Sequence, residues 1–381
     1  MRVAILNITS GGMSGGYRIY LDNMIPRMAS HKDTSAMLVG LPETVHVSCQ
    51  NLSIPRVDWV SFEPVNRLFN NRIRGLEKRI RQFRPDVVFI PTSRFWQSDG
   101  IPTVTMLQNM EPLICPYEGN PFVEKAKNWF RAQQSRTAAT DSTRVIAVSG
   151  FVKDFLIEKW RMPPERIGLV YHGRNTVSDS NNCTKPALIP EGWKGKFLFT
   201  AGSVRPARGL EDIIYSVRLL ARKDGLEGLV IAGHTEDRML KYHRKLEALV
   251  ESIRSDIPIL WVGGLSSKEM TWCYKNCAIF IMTSRVESFG MIAVEAMSRG
   301  CICIAADNPC LPEIFGDAAV FYAPGDYRML ADKIRSILAW SKKEKDEMAG
   351  CALTRAKCFN WDVCAEQTVS ELKKATEDIR K

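Results

Sequence analysis

Two glutamates, Glu287 and Glu295, stand eight residues apart in the stretch ESFGMIAVEAMSRG, residues 287–300. The apolar run AIFIMTS before it reads as a buried parallel strand. A turn with Glu287, Ser288 and Gly290 follows, then a helix whose Ile292, Val294, Ala296 and Met297 can face a sheet. Gly300 stands where glycine ends helices, and CICIA opens the next strand. This strand–turn–helix–strand unit places Glu287 at the carboxyl end of a strand, where open α/β sheets bind ligands. The spacing predicts Glu295 two turns into the helix, about 12 Å along the axis at roughly 1.5 Å per residue. One compact sugar does not need that reach, whereas an elongated ligand does. The backbone N–H groups of Ser288, Phe289, Gly290 and Met291 open the helix and can hold a phosphate. By residue type alone, a turn glutamate and a helix-face glutamate are ordinarily solvated.

Other residues can serve the same chemistry. The strand FLFTAGS runs into VRPARGLEDIIYSVRLL, where Arg205 and Arg208 can clamp a diphosphate through bidentate hydrogen bonds. Near the N-terminus the strand Val3 to Ile8 feeds a glycine-rich turn with Gly11, Gly12, Gly15 and Gly16. Their spacing is not the G-x-G-x-x-G of a dinucleotide site, but glycine lets backbone approach a phosphate or sugar closely. The strand Val104 to Leu107 ends in Gln108, which can hydrogen-bond a sugar hydroxyl but cannot act as a general base.

The string from Glu287 to Glu295 resembles the E-x7-E signature of the retaining GT-B glycosyltransferases of family 4 (glycosyl transferases group 1). The resemblance runs, with gaps, from the glycine loop to the last helix. It implies two Rossmann-like α/β domains with parallel sheets facing a cleft. It also implies a nucleotide-diphosphate sugar donor, UDP- or GDP-linked, and a glycan or lipid-linked acceptor. Glu295 would then hydrogen-bond the ribose and Glu287 the donor sugar, while Arg205, Arg208 and the amides from Ser288 to Met291 stabilise the leaving diphosphate. Gly15, Gly16 and Gln108 would lie by the reacting sugar. Two positions depart from the family pattern: Gln108 stands where a His is common, and Ser203 where an Arg is common, with Arg208 at the usual Lys. The chain has no D-x-D pair, so the resemblance implies a metal-independent, hexosyltransferase-type enzyme of cell-surface polysaccharide or glycoconjugate synthesis, without a cofactor.

The remaining sequence must position these groups. At 381 residues the chain can bury two cores. Alternating β and α patterns argue for parallel sheets, with an acceptor domain over 1–175 and a nucleotide-sugar domain over 195–360. Residues 176–194, rich in polar residues and proline, read as the linker, and 361–381 as a helix crossing back to the first domain. The net charge of +10 suits anionic ligands or an anionic membrane surface. Residues 66–84 concentrate that charge: Phe69, Ile73, Leu76, Ile80 and Phe83 share one helical face, and seven Arg or Lys side chains occupy the rest. Nucleic-acid binding is disfavoured, because the two phenylalanines lie on the apolar face rather than among the cations. His172 reads as a structural turn histidine. Eleven scattered cysteines without a CxxC pair fit reduced thiols. The start MRVAILNIT has neither a charged leader nor a long apolar core, and no run is long enough to span a bilayer. The expected location is therefore cytoplasmic, peripheral at the inner membrane face. A decayed nucleotide-binding or scaffolding protein and a sugar-nucleotide epimerase of the same fold remain alternatives.

Overall fold

The computed structural model describes residues 1–9, 14–63, 74–94, 96–97, 99–114, 120–174 and 183–378. The chain divides into two compact units, one of residues 1–113, 126–173 and 359–381, the other of residues 114–125 and 174–358. Along the chain come β1 (Arg2–Leu6), α1 (Gly15–Ser30), β2 (Ala36–Pro42), β3 (Val57–Phe62), α2 (Arg74–Phe83), β4 (Val87–Ile90), β5 (Thr103–Leu107), α3 (Glu111–Ile114), α4 (Phe122–Asp141), β6 (Arg144–Ala147), α5 (Gly150–Trp160) and β7 (Ile167–Leu169). The second half contributes β8 (Phe197–Ala201), α6 (Leu210–Val217), β9 (Gly228–Ala232), α7 (Leu240–Ile253), β10 (Ile259–Gly263), α8 (Ser267–Asn276), β11 (Ile279–Met282), α9 (Met291–Met297), β12 (Cys303–Ala306), α10 (Cys310–Phe315), β13 (Val320–Tyr322), α11 (Tyr327–Leu338), α12 (Lys342–Ala356) and α13 (Trp361–Asp378).

Each unit is built on a parallel sheet, ordered β3-β2-β1-β4-β5-β6-β7 in the first and β10-β9-β8-β11-β12-β13 in the second. The strands are short apolar runs because helices cover both faces, so residues of both parities must be buried. Val3 through Leu6 and Phe197 through Phe199 are essentially inaccessible. In the second unit Leu198, Ile231, Ile279 and Ile304 meet Ile213, Leu246 and Ile334 from the helices. Burial of each such side chain stabilises by about 1.5–3 kcal/mol. Strand order reverses between β1 and β4, and again between β8 and β11, which are the two switch points where α/β sheets open ligand crevices.

Local signals set the helix ends. Ser14 caps α1 by accepting from the Tyr17 N–H, and Ser266 and Glu269 form a capping box on α8. Gly300 takes φ +69 just past α9, and Asp326 caps α11 after Gly325 at φ +87. Of the basic segment 66–84, residues 66–73 (with Phe69 and Ile73) lie outside the described residues; α2 begins at Arg74. Its Leu76 and Ile80 are buried, while Arg79 pairs with Asp58 at 2.6 Å and Arg81 with Asp99 at 3.5 Å.

The final helix α13 belongs to the first unit and packs on α1 and on β4, β5 and β6. Its Glu371 forms a buried ion pair with Arg144 at 2.8 Å, and a Cβ at Gly168 would strike that glutamate at 2.5 Å. At its start Trp361 packs near Tyr20 and His172, with ring centroids 6.0 Å away in each case. His172 is buried, and that burial pulls its imidazole down to about 3, so it is neutral at pH 7.

The unfolded chain therefore takes up this proton near pH 6.5 and the folded chain only near 3. The stability is complete above about 6.5 and is lost as pH falls toward 3, at up to about 1.4 kcal/mol per pH unit. Urea unfolding of wild type and His172→Gln at pH 7, 6 and 5 should show a shallower loss in the variant.

Candidate functional site

The switch point of the second sheet is bounded by two turns, residues 202–209 after β8 and 283–290 after β11. They touch so closely that only glycine fits at position 209: a Cβ there, where φ is +57, would lie 2.5 Å from the Thr283 carbonyl oxygen. Within the first turn, a Cβ at Gly202, with φ +132, would lie 3.0 Å from Arg208 Nε. The Thr283 hydroxyl donates to the Arg208 carbonyl at 2.7 Å, and the Arg285 N–H to the Ala207 carbonyl at 2.8 Å.

Under these turns lies Asp212 of α6, only 3% exposed. Arg285 donates to both of its carboxylate oxygens, at 2.7 and 2.5 Å. The Tyr322 hydroxyl and the Gly325 N–H donate to the same carboxylate, each at 2.9 Å. Burial alone would lower the Arg285 guanidinium, but the hydrogen bonds and charge of Asp212 hold it above its ordinary value. One carboxylate thereby ties together the turn after β11, helix α6 and the turn before α11.

On this base the candidate residues are arranged unequally. Arg208 donates to a carboxylate oxygen of Glu287 and, at 3.1 Å, to the Ser284 hydroxyl. Both partners are partly open to solvent, Arg208 at 22% and Glu287 at 13% of the side chain. The Asn308 side-chain amide donates to the Ser284 carbonyl and steadies the same turn. Arg205 is placed otherwise: it pairs with Glu236 at 2.7 Å, and Glu236 also pairs with Arg238. The structure thus unites Arg208 with Glu287 and holds Arg205 in a neighbouring ion pair.

Glu295 sits nearer the helix start than its spacing predicts. Gly290 adopts φ +85 and keeps the backbone out of the helix until Met291, so Glu295 is the fifth residue of α9, not two turns in. It is half-buried and accepts from the Tyr274 hydroxyl at 3.3 Å. Burial pushes its carboxyl up, against the Tyr274 hydrogen bond and the nearby Arg299, which favour the charged form. Between the two glutamates Phe289 and Gly290 are buried, while Ser288 and Met291 are half-buried.

In the first unit, Gly15 and Gly16 are the opening residues of α1, and a Cβ at Gly15 would meet nothing within 4 Å. Gly11 and Gly12 lie outside the described residues. Gln108 follows β5 and donates to the Pro91 carbonyl at 2.5 Å. Among the described residues, no helix is long and apolar enough to cross a membrane.

The sequence reading missed Asp212, Arg285, Ser284 and Tyr274. The bidentate partners lie 73 positions apart, and Tyr322 lies 110 from Asp212, so no local spacing links them. The only local signal was the acidic residue in the first turn of α6, which reads as an ordinary helix-start carboxylate.

Asp212→Asn keeps the shape but removes the charge from three donors. It should lower stability by about 3 kcal/mol, because Arg285 is left without its counter-charge. A shift of the urea midpoint at unchanged slope would measure it.

Comparison with known proteins agrees with this geometry. The family described as "Glycosyl transferases group 1" matches residues 189–349, and "Glycosyltransferase Family 4" matches residues 14–177. The chain is 26% identical over 252 residues to O-antigen chain mannosyltransferase B of Escherichia coli, covering 63% of each protein. It is 21% identical over 193 residues to O-antigen chain mannosyltransferase RfbU of Salmonella typhimurium, covering 51% of this chain and 50% of that protein. The matched stretch thus spans half to three-fifths of these curated relatives. Among solved structures, sucrose-phosphate synthase from Thermosynechococcus elongatus superposes with TM-score 0.75 at 15% identity, covering 98% of both chains. Anabaena HepE in complex with UDP and glucose does so with TM-score 0.73 at 18% identity, covering 98% of this chain and 100% of the other. Two parallel-sheet α/β units, a glutamate and an arginine joined at the second switch point, and both family matches lead to one conclusion: the chain belongs to the GT-B glycosyltransferases of the family 4 type.

Proposed function

We propose that this protein is a retaining glycosyltransferase that moves a sugar from a nucleotide-diphosphate donor to a hydroxyl of a glycan or glycolipid acceptor in cell-surface polysaccharide synthesis. The observation that carries the reading is the Arg208–Glu287 pair at the carboxyl edge of β8 and β11. A cation and an acceptor carboxylate side by side suit a diphosphate joined to a hydroxyl-rich ring. Arg208, with Arg205 beside it in sequence, neutralises the leaving diphosphate where charge develops, without a divalent metal. Glu287 receives the hydroxyls of the donor sugar, Glu295 those of the ribose, and the amides from Ser288 to Met291 add to the phosphate contacts. From the first unit Gly15 and Gly16 add to the donor contacts, and the acceptor hydroxyl enters near them and Gln108.

Gln108 cannot take a proton at neutral pH. Front-face attack, with the leaving phosphate accepting the acceptor proton, is therefore the route we favour for retention. The E. coli and Salmonella relatives, both O-antigen chain mannosyltransferases, support the polysaccharide role, and the UDP-bound and UDP-glucose-bound HepE structures support a nucleotide donor. The protein would work in the cytoplasm, with the basic segment 66–84 resting on anionic lipid at the membrane face.

A thermal-shift panel with UDP, GDP, ADP, CMP and dTDP, without added metal, should single out one nucleotide, because only a ligand of the native state raises the melting temperature. Glu295→Ala should then weaken that nucleotide at least about tenfold, the loss of hydrogen bonds to a charged group. Glu287→Gln should lower kcat about 100-fold with little change in nucleotide affinity. A flat panel, confirmed by calorimetry, would favour the decayed-site alternative.

A further inference from the structure

The arginines around the second switch point face carboxylates or hydroxyls, and Arg144 of the first unit is held by Glu371. Arg94 is different. It lies beyond the carboxyl end of β4, on the segment that returns to β5, and it is half-buried. Among the described residues it makes no hydrogen bond or ion pair. The charge acting on it is another cation, Arg131 of α4, which together with burial pulls the Arg94 guanidinium below its ordinary value. Proteins ordinarily pair a cation that burial has partly stripped of water. The partner is therefore expected from outside the chain.

Arg94 forms part of the wall of a cavity of about 320 Å3, which also includes Trp96, Asp99, Thr103, Asp141 and Ser142. Neither aspartate lies within ion-pair distance of Arg94: Asp99 faces Arg81 at 3.5 Å, and Asp141 accepts from the Thr140 hydroxyl at 3.2 Å. The cavity lining thus combines one guanidinium with two carboxylates. Guanidinium presents a planar fork that matches a phosphate or carboxylate, whereas carboxylates accept from sugar hydroxyls and repel bare anions. The volume is at the small end of ligand pockets, about 300 to 1,000 Å3, which suits one substituted ring and not an oligosaccharide.

We propose that this cavity binds a single sugar carrying an oxyanion, a sugar phosphate or a uronate, with the anionic group on Arg94 and the ring hydroxyls toward Asp99 and Asp141. Naming that sugar as part of the acceptor rests on the function proposed above; the site itself does not.

Calorimetry on the full chain with glucose 6-phosphate, glucuronate, glucose and inorganic phosphate tests it. At least one of the two anionic sugars should bind at least about tenfold more tightly than glucose or phosphate, and Arg94→Gln should lose that advantage. Arg94→Lys, which keeps the charge without the fork, should fall between. Because Arg94→Gln removes an unpaired charge, the ligand-free variant should melt at a higher temperature than wild type. Its response to the nucleotide panel should be unchanged. Failure of both anionic sugars to bind, equal binding by Arg94→Gln, or a lower melting temperature in that variant would overturn the proposal. Phosphate binding as tightly as either sugar would assign the site to the free ion and overturn the sugar assignment. A flat nucleotide panel alongside Arg94-dependent sugar binding would count against the donor reading alone.

Discussion

The bidentate pair between Asp212 and Arg285 is the constraint on which the second unit's site depends. Asp212 is almost wholly inaccessible, so its charge must be compensated by fixed donors, and three separate segments supply them. Compensation of a buried charge tolerates little displacement, because losing its ion-pair partner leaves the charge desolvated and uncompensated. The turn after β11 therefore cannot drift relative to α6. It in turn holds the 202–209 turn through the Thr283 hydroxyl and the Arg285 N–H. Glycine at 209 allows the close approach; a side chain there would push the two turns apart.

What rests on this base is deliberately softer. Arg208 and Glu287 are partly solvated and satisfy one another, so neither is locked as Asp212 is. An arginine that meets a carboxylate through part of its fork keeps donors for an incoming phosphate, and its carboxylate keeps acceptor capacity for hydroxyls. The difference lies in the carboxylates: the Asp212 side chain is 4% exposed and fully engaged, that of Glu287 13% exposed. The contrast extends to the first unit, where Arg144 and Glu371 anchor α13 while the half-buried Arg94 has no ion-pair partner among the described residues.

Much of the architecture was legible because it follows from short-range rules. Apolar runs bounded by glycine and polar turns marked the strands from Val87 to Ile90 and Ile279 to Met282, and their alternation with amphipathic helices required parallel sheets. Gly300 marked the end of α9. The E-x7-E stretch directed attention to the turn that carries the Arg208–Glu287 pair. Its spacing misled only about Glu295, because the left-handed Gly290 delays the helix and periodicity alone cannot show where the first helical residue falls.

The sequence by itself determined the class of fold and the strand and helix order, which depend on residue type, period and neighbours a few positions away. It singled out Glu287, Arg208 and Glu295 as candidates through the resemblance their motifs carry. Which arginine meets Glu287, that Asp212 ties three segments together and that Arg94 has no counter-charge among the described residues were decided only by the tertiary structure. Ion pairing depends on distances of a few ångströms between residues 73 to 227 positions apart in the chain, and a one-dimensional pattern carries no such distances.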